Sequence, residues 1–410
     1  MTKLNNKPDY DVIIVGGGMV GMAAALSLSQ LNLTIALLES TTPTGDSHPS
    51  YDDRTLVVNQ ASVCFWKNIG IWQELNQNIT PINKVHVSNK GHFGSVDFDK
   101  DEMNVNALAY IVEAKIIGFA LKQACEEVDK ITNITPALYN TMHNKDNCAE
   151  VEYSVDDEQH TISGTLVLAA DGIQSGIRKQ LGLETIIKSY KRTAIICNIT
   201  PEYKHNNCAY ERLTAKGPTA ILPLVANRCG FVWTLEENKV QEILDLTDAD
   251  FVTQAQQQFG YRLGKFIKAG KRSSYPLYLV TVPQQVKNRV ILIGNAAHGM
   301  SPVSAQGLNL AVRDVARLFD VIQDKIQQGH DIGTDETLNT YQQAINKDQQ
   351  QTMKYTDDLM SWFKIDEPIV TSLRSVGLFA LNQSTYLKQE LFHRVSGYRG
   401  NIPQLLRKKA

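Results

Sequence analysis

Residues 11–40, DVIIVGGGMVGMAAALSLSQLNLTIALLES, constrain this chain more than any other stretch. A short β-branched run, Val12 to Val15, is stopped by glycines, which predicts a buried parallel strand rather than a helix. Gly16, Gly18 and Gly21 then fall at G-x-G-x-x-G spacing. Met22 to Leu33 predicts a helix, and Thr34 to Leu38 a second strand ending in Glu39. Each glycine has its own task. Gly16 allows the tight turn, Gly18 lets backbone approach a pyrophosphate, and Gly21 lets helix and strand pack closely. The phosphates would rest on the N–H groups at the helix start, where the dipole favours negative charge. Glu39, 23 residues after Gly16, is spaced to accept hydrogen bonds from ribose hydroxyls. Strand, glycines, helix, strand and acid in that order predict a dinucleotide site rather than a purely structural glycine turn.

A chain of 410 residues can hold two or three domains. Its net charge of −2 carries no footprint for nucleic acid, so that class is set aside. The six cysteines (Cys64, Cys125, Cys148, Cys197, Cys208, Cys229) are scattered without C-x-x-C or metal-ligand spacing, which points to a reducing compartment and to no metal. The polar start MTKLNNKPDYD is read as lacking a signal peptide, and no uncharged apolar run reaches the length of about 18 residues needed to span a membrane.

Downstream, Arg54 to Leu75 is read as helical, with Arg54 just before it and able to reach a phosphate or ribose. Residues 82–98 alternate around Asn89–Gly91 as a β-hairpin does. Leu108 to Val128 is read as a helix and 131–170 as strands ending in TLVLAADG. Short β-rich runs over 190–237 predict an inserted antiparallel sheet, followed by helix over 241–268. RVILIGNAAH repeats the opening grammar, with a helix from about Gln306, and 334–410 is mostly helical with a basic tail.

Three motifs stand in order: GGGMVG at 16–21, AADGIQSGIR at 169–178 and IGNAAHGMSPVSAQGLNLAVRD at 293–314. Together they resemble the flavoprotein aromatic hydroxylases of the p-hydroxybenzoate hydroxylase type. VHVSNKGHFG at 85–94, ERLTAKGPTAILPL at 211–224 and RCGFVWT at 228–234 narrow the resemblance to the ubiquinone-biosynthesis hydroxylases, above all those acting on 2-polyprenyl-6-methoxyphenol. The resemblance implies an α/β fold: a discontinuous Rossmann-like FAD-binding domain over 1–80, 104–183 and 286–340, an inserted antiparallel β-sheet substrate domain over 81–103 and 184–285, and a C-terminal helical region over 341–410.

It also implies roles. Gly16, Gly18, Gly21 and Glu39 would hold the ADP half of a non-covalent FAD, with Arg54 touching the same half. Asp171 and Gly172 would lie near both FAD and a visiting nicotinamide, Gly294 and Asn295 near ribitol and pyrophosphate, and Pro302, Gln306, Gly307 and Asn309 beside the isoalloxazine ring. NADPH or NADH would reduce FAD, O2 would be activated on it, and a polyprenylated phenol would be hydroxylated. The base that removes a phenol proton is not identified. Taken alone, Asp171 is an ordinary turn aspartate and Asn295 a strand-end cap. His298 is read as a solvated or capping residue, Glu113 as a helix-surface glutamate, and Met19, Met22 and Met300 as packing.

The flavin loop departs from the family pattern H-P-x-x-G-Q-G-x-N-x-G, with Ser301, Ala305 and Ala311 replacing a histidine and two glycines. Ala305 is expected at negative φ with its methyl turned from the ring. A prenyl-chain reductase and a non-catalytic scaffold subunit remain as other readings. The expected location is cytoplasmic or peripheral at the inner membrane. Membrane or partner contact would run through MSWF at 360–363, PIVTSLRSVGLFAL at 368–381 and the tail, and other ubiquinone-biosynthesis proteins are candidate partners.

Overall fold

The protein is represented by a computed structural model that describes residues 7–42, 54–214, 217–301, 305–362, 368–398 and 400–408. Among these, eight strands form a mixed sheet. Five of them, β1 (Tyr10–Val15), β2 (Ile35–Leu38), β8 (Ile131–Ile134), β11 (Glu158–Ala169) and β19 (Val290–Leu292), run parallel in the spatial order β19-β11-β1-β2-β8. Strand β18 (Val286–Lys287) pairs antiparallel at the β19 edge. Strands β9 (Leu138–Asn144) and β10 (Ala149–Val155) form an antiparallel meander on the first half of β11.

Both faces of the parallel strands are covered, which is why they read as continuous apolar runs rather than alternating ones. Val12, Ile14, Leu166 and Leu168 face a layer of helices, α1 (Met19–Ser29), α4 (Ala114–Glu126) and α8 (Gly307–Gln327). Ile13, Val15, Val167 and Ala169 face the meander and α5 (Gly176–Gln180). The chain leaves β1 toward β2 on one side and returns at β11 on the other. Strand order therefore reverses beside β1, and the crevice beyond its carboxyl end is where open α/β sheets bind ligands.

A nine-stranded sheet contains β5 (Lys84–Asn89), β6 (Ser95–Asp99), β12 (Ile186–Pro201), β13 (Cys208–Leu213), β14 (Thr219–Pro223), β15 (Cys229–Glu236), β16 (Phe266–Ala269), β17 (Ser273–Thr281) and β20 (His298–Gly299). Its outer face is sealed by α6 (Val240–Leu244) and α7 (Asp248–Phe259), with Phe231, Trp233, Phe251, Phe259 and Phe266 forming an aromatic cluster. Its inner face looks toward the FAD-type crevice and the C-terminal helices α9 (Asp335–Trp362), α10 (Pro368–Gln383) and α11 (Thr385–Val395). A three-stranded sheet of β3 (Thr55–Val58), β4 (Thr80–Ile82) and β7 (Ala109–Glu113) lies between the two large sheets. Helices α2 (Gln60–Asn68) and α3 (Trp72–Leu75) follow β3.

Three expectations are corrected here. Residues 55–58 and 109–113 are paired strands, not helix. The runs Thr-Leu-Val-Val and Ala-Tyr-Ile-Val-Glu are rich in β-branched residues, and partner strands supply the packing that favours extended backbone. Likewise 241–268 is two helices and then strand β16, which joins β12. The hairpin at 82–98 is present as β5 and β6, in register from Lys84 opposite Asp99 to Ser88 opposite Ser95. All six cysteines are free.

Candidate active site

The crevice is built from backbone at the ends of β1, β11 and β19. Gly16 has φ +111° and donates its N–H to Leu38 O (2.8 Å). A Cβ there would lie 2.4 Å from Ala170 O, so glycine serves both the turn and the approach of β11. Gly21 sits in α1 so close beneath the turn that a Cβ would meet Gly16 O at 1.9 Å. Gly18 differs from both. As the N-cap of α1 it has φ −70°, open to any residue, so its glycine answers to proximity rather than conformation. No side chain caps α1, and its first turn carries no acid, which leaves the helix start suited to an anion.

Glu39 reaches back over this turn. Its Oε2 accepts from Gly17 N–H (2.7 Å) and its Oε1 from Thr41 N–H (2.8 Å). Oε1 also accepts from Ser40 Oγ (3.3 Å), and together these bonds orient the Glu39 carboxylate over the turn. Asp171 follows β11. Its Oδ2 accepts from Ile177 N–H (3.2 Å), while Oδ1 is buried with no partner among the described residues. Burial pushes this carboxyl above its ordinary range. Gly172 has φ +80° with open space where a side chain would stand. Gly294, φ +58°, packs against Val20 in the first turn of α1, which brings the third motif onto the first. Asn295 beside it is exposed at the crevice.

A cavity of about 350 Å³ runs from this crevice toward the nine-stranded sheet. Gly18, Gly172, Asn295, Ala305 and Gly307 line its crevice side, and Arg54, Ile196, Leu222, Val232, Tyr275 and Tyr278 its sheet side. Arg54 precedes strand β3 rather than a helix, and its guanidinium stands over the Tyr275 ring at 5.4 Å. Met19 and Met300 also line the cavity, whereas Met22 is buried in the core. Pro302 lies outside the described residues. Gln306 caps α8 and Gly307 opens it.

Asn309 is fully engaged by protein. Its Nδ2 donates to Val57 O (2.8 Å) and Ala305 O (2.7 Å), and its Oδ1 accepts from Asn59 N–H (3.1 Å) and Ser62 Oγ (2.7 Å). It ties the flavin-type loop to β3 and α2, so its geometry is that of a positioning residue.

Two histidine and glutamate expectations change. His298 is 2% exposed, not solvated, and its Nε2 lies 2.8 Å from Asp314 Oδ2, which also accepts from Gln349 Nε2 (2.8 Å). Glu113 ends β7, is buried, and faces Arg228 at 3.4 Å. The sheet residues Ile196, Leu222, Val232, Tyr275 and Tyr278 were not singled out from the sequence. Their period-2 spacing with buried partners is the signal that finds them.

Ala305 is the clearest correction. Its φ is +51°, not negative. Left-handed backbone costs an L-residue roughly 1–2 kcal/mol, and the Asn309 Nδ2 bond to Ala305 O helps hold it there. Ala305→Gly removes that strain but adds chain entropy of about 0.5–1 kcal/mol, so FAD affinity should stay within roughly threefold of wild type. Ala305→Val places a β-branched residue in a conformation it rarely adopts, and FAD affinity should fall roughly tenfold in a fluorescence titration. A Val variant binding like the wild type would contradict the strain.

Residues 9–356 match the family described as FAD binding domain. The chain belongs to that family. It is 30% identical over 387 residues to the ubiquinone hydroxylase UbiL of Rhodospirillum rubrum, covering 94% of this chain and 89% of that one. It is 28% identical over 391 residues to the 3-demethoxyubiquinol 3-hydroxylase of Escherichia coli, covering 94% and 98%. In fold it is similar to p-nitrophenol 4-monooxygenase from Pseudomonas putida, with a TM-score of 0.79, 15% identity, and 95% and 99% of the two chains covered.

The chain is accordingly an FAD-dependent enzyme of the monooxygenase type. Its crevice fits the cofactor on its own evidence. The uncapped start of α1 and the open space at Gly172 border the cavity, and beside them the buried Asp171 Oδ1 has no partner among the described residues.

Proposed function

We propose that this enzyme hydroxylates the ring of a polyprenylated phenol in ubiquinone biosynthesis, with NADPH or NADH as reductant and O2 as oxidant. One observation carries the reading: the cavity begins at the dinucleotide cradle and ends on the apolar wall of Ile196, Leu222 and Val232. In this reading Gly16, Gly18 and Gly21 admit the pyrophosphate, Glu39 holds the adenosine side, and Asp171, Gly172, Gly294 and Asn295 line the path toward the ring. Arg54, over Tyr275, stands at the sheet side of the cavity rather than beside Glu39. Gln306 and Gly307 border the ring, and Asn309 holds their loop in place. Bound FAD supplies hydride acceptance and activation of dioxygen. The chain orients the phenol and keeps bulk water from the reacting ring. The named relatives, hydroxylases of ubiquinone precursors by their descriptions, support the substrate class.

The test is a panel of prenylated phenols given to purified enzyme with NADPH and ¹⁸O₂. The expected product carries one labelled oxygen on the ring, formed in step with NADPH oxidation. Saturation of the prenyl chain without O2 uptake would establish a reductase instead. Bound flavin that NADPH and NADH both fail to reduce would establish a scaffold.

A bilayer-borne substrate further supports peripheral attachment, and no helix among the described residues is long and apolar enough to cross a membrane. The surface expected to serve is narrower than MSWF plus the tail. Met360 is buried against the inner sheet face, and Phe363 lies outside the described residues. Leu405 and Leu406 are buried in the main core, with Leu405 O accepting from Asn68 Nδ2 (2.8 Å). Truncating the tail would therefore damage the fold. Among the described residues of the C-terminal helices, Leu373, Val376 and Phe379, three apart along α10, are exposed, as are Tyr386 and Leu387 of α11. Leu373→Glu with Phe379→Glu should lower flotation with anionic vesicles several-fold while FAD content is unchanged. Equal recovery of the double variant would remove this face from the argument.

A further inference from the structure

The inner face of the nine-stranded sheet carries one carboxyl that the preceding site does not use. On β13, Tyr210 and Arg212 point outward to α7: Tyr210 meets Phe259 edge-on, and Arg212 Nη1 donates to Phe259 O (2.6 Å). Glu211 between them points inward, like Ala209 and Leu213, which join the inner apolar clusters. Pairing sets its neighbours. Glu211 stands opposite Val87 of β5 and Ala220 of β14, Ala220 opposite Val232 of β15, and Val232 opposite Ile196 of β12. Val232 and Ile196 are cavity walls. Leu222, another wall, is the diagonal neighbour of Glu211, within the reach of a long side chain. In the pairing, Ala220 alone stands between Glu211 and the Val232 wall, and its side chain is only a methyl.

Glu211 has no hydrogen bond and no ion pair among the described residues, yet it is partly buried. Burying a carboxyl without a partner is costly, and nothing in the fold compensates it. Its neighbours in the sheet, Val87, Ala220 and Leu222, carry no charge. Burial pushes the acid up to about 8, so near neutrality it is largely protonated and offers both a donor and an acceptor.

We propose that Glu211 is the polar anchor of the substrate pocket, binding the phenolic hydroxyl and thereby setting which ring carbon faces the cofactor. A phenol hydroxyl is the complement of this group, since it also donates once and accepts. An otherwise apolar pocket gains orientation from one such placed polar residue. A site built to bond a hydroxyl also rejects analogues that lack it, because the buried group is then left unpaired. This inference rests on the proposed function, and it is tested on FAD-loaded enzyme by substrate binding rather than turnover.

The probes are a short-chain 2-prenylphenol and its O-methyl ether, each titrated while flavin absorbance is followed. Wild type should bind the phenol at least tenfold more tightly than the ether. Glu211→Leu should keep FAD content and NADPH-driven flavin reduction, lose the preference for the phenol, and raise the thermal midpoint by removing an unpartnered acid. Glu211→Gln should retain part of the preference, because its amide can still pair with the hydroxyl. An unchanged preference in Glu211→Leu, or a lowered midpoint together with loss of FAD, would overturn the anchor and leave a structural role. If wild type perturbs its flavin spectrum with neither probe, the hydroxylase reading itself falls, and Glu211 with it.

Discussion

Gly21→Ala is expected to yield protein that does not retain FAD and is destabilised by about 3 kcal/mol or more. The added methyl would lie 1.9 Å from Gly16 O, a backbone atom that no rotamer change can move. The helix would have to lift from the turn, and lifting it opens the cradle at the ends of β1 and β11. Gly18→Val makes an informative contrast. With φ −70° the backbone tolerates valine, so the fold should survive while the branched side chain occupies the approach to the pyrophosphate. Flavin absorbance after gel filtration, beside a urea unfolding curve, separates the two. Gly21→Ala should lose both flavin and stability, and Gly18→Val flavin alone. Gly377→Ala in α10 is the control, because its Cβ would meet nothing within 4 Å. It should be neutral or stabilising by up to about 1 kcal/mol. A yellow, stable Gly21→Ala protein would show that the turn is looser than described.

Removing one carboxylate between α8 and α9 should have the second large effect. Asp348 Oδ2 accepts from Arg313 Nε (2.7 Å) and lies 3.0 Å from Arg317 Nη1, and Arg313 also donates to Thr352 Oγ1 (3.0 Å) and Asn309 O (3.2 Å). All three ionic side chains are at most a tenth exposed. Asp348→Ala leaves two guanidinium groups buried beside one another, and breaking such a pair costs about 3–5 kcal/mol. The loss should appear as a lower urea midpoint at unchanged slope. It should also loosen FAD, because Arg313 holds the carbonyl of Asn309 and Asn309 holds the loop at Ala305. The exposed Lys354–Asp358 pair one helix face away serves as comparison, and its removal should cost less than about 1 kcal/mol. Equal small effects at both sites would mean that water reaches the Asp348 cluster.

The parallel-sheet core was legible in the sequence because a strand buried on both faces leaves an uninterrupted apolar run, and both β1 and β19 show one. The turn glycines were legible in part: Gly21 answers to Gly16, five residues away, so local spacing encodes it, whereas Gly16 also answers to Ala170 at the end of the distant β11. The family motifs also located Asp171 and Gly294, although not that Gly294 packs on Val20. Residues 55–58 and 109–113 misled because their strand character depends on pairing with each other across more than fifty residues. Ala305 misled because a left-handed backbone is imposed from outside the loop, through Asn309, and alanine itself prefers the opposite sign. Asp348 and its two arginines meet only when α8 and α9 pack, and Glu211 comes to stand among apolar neighbours only when β5 and β14 pair with β13. Short-range periodicity and turn chemistry are properties of sequence. Register between distant strands, burial of a charge and the absence of its partner are created by tertiary packing, which the local chain does not record.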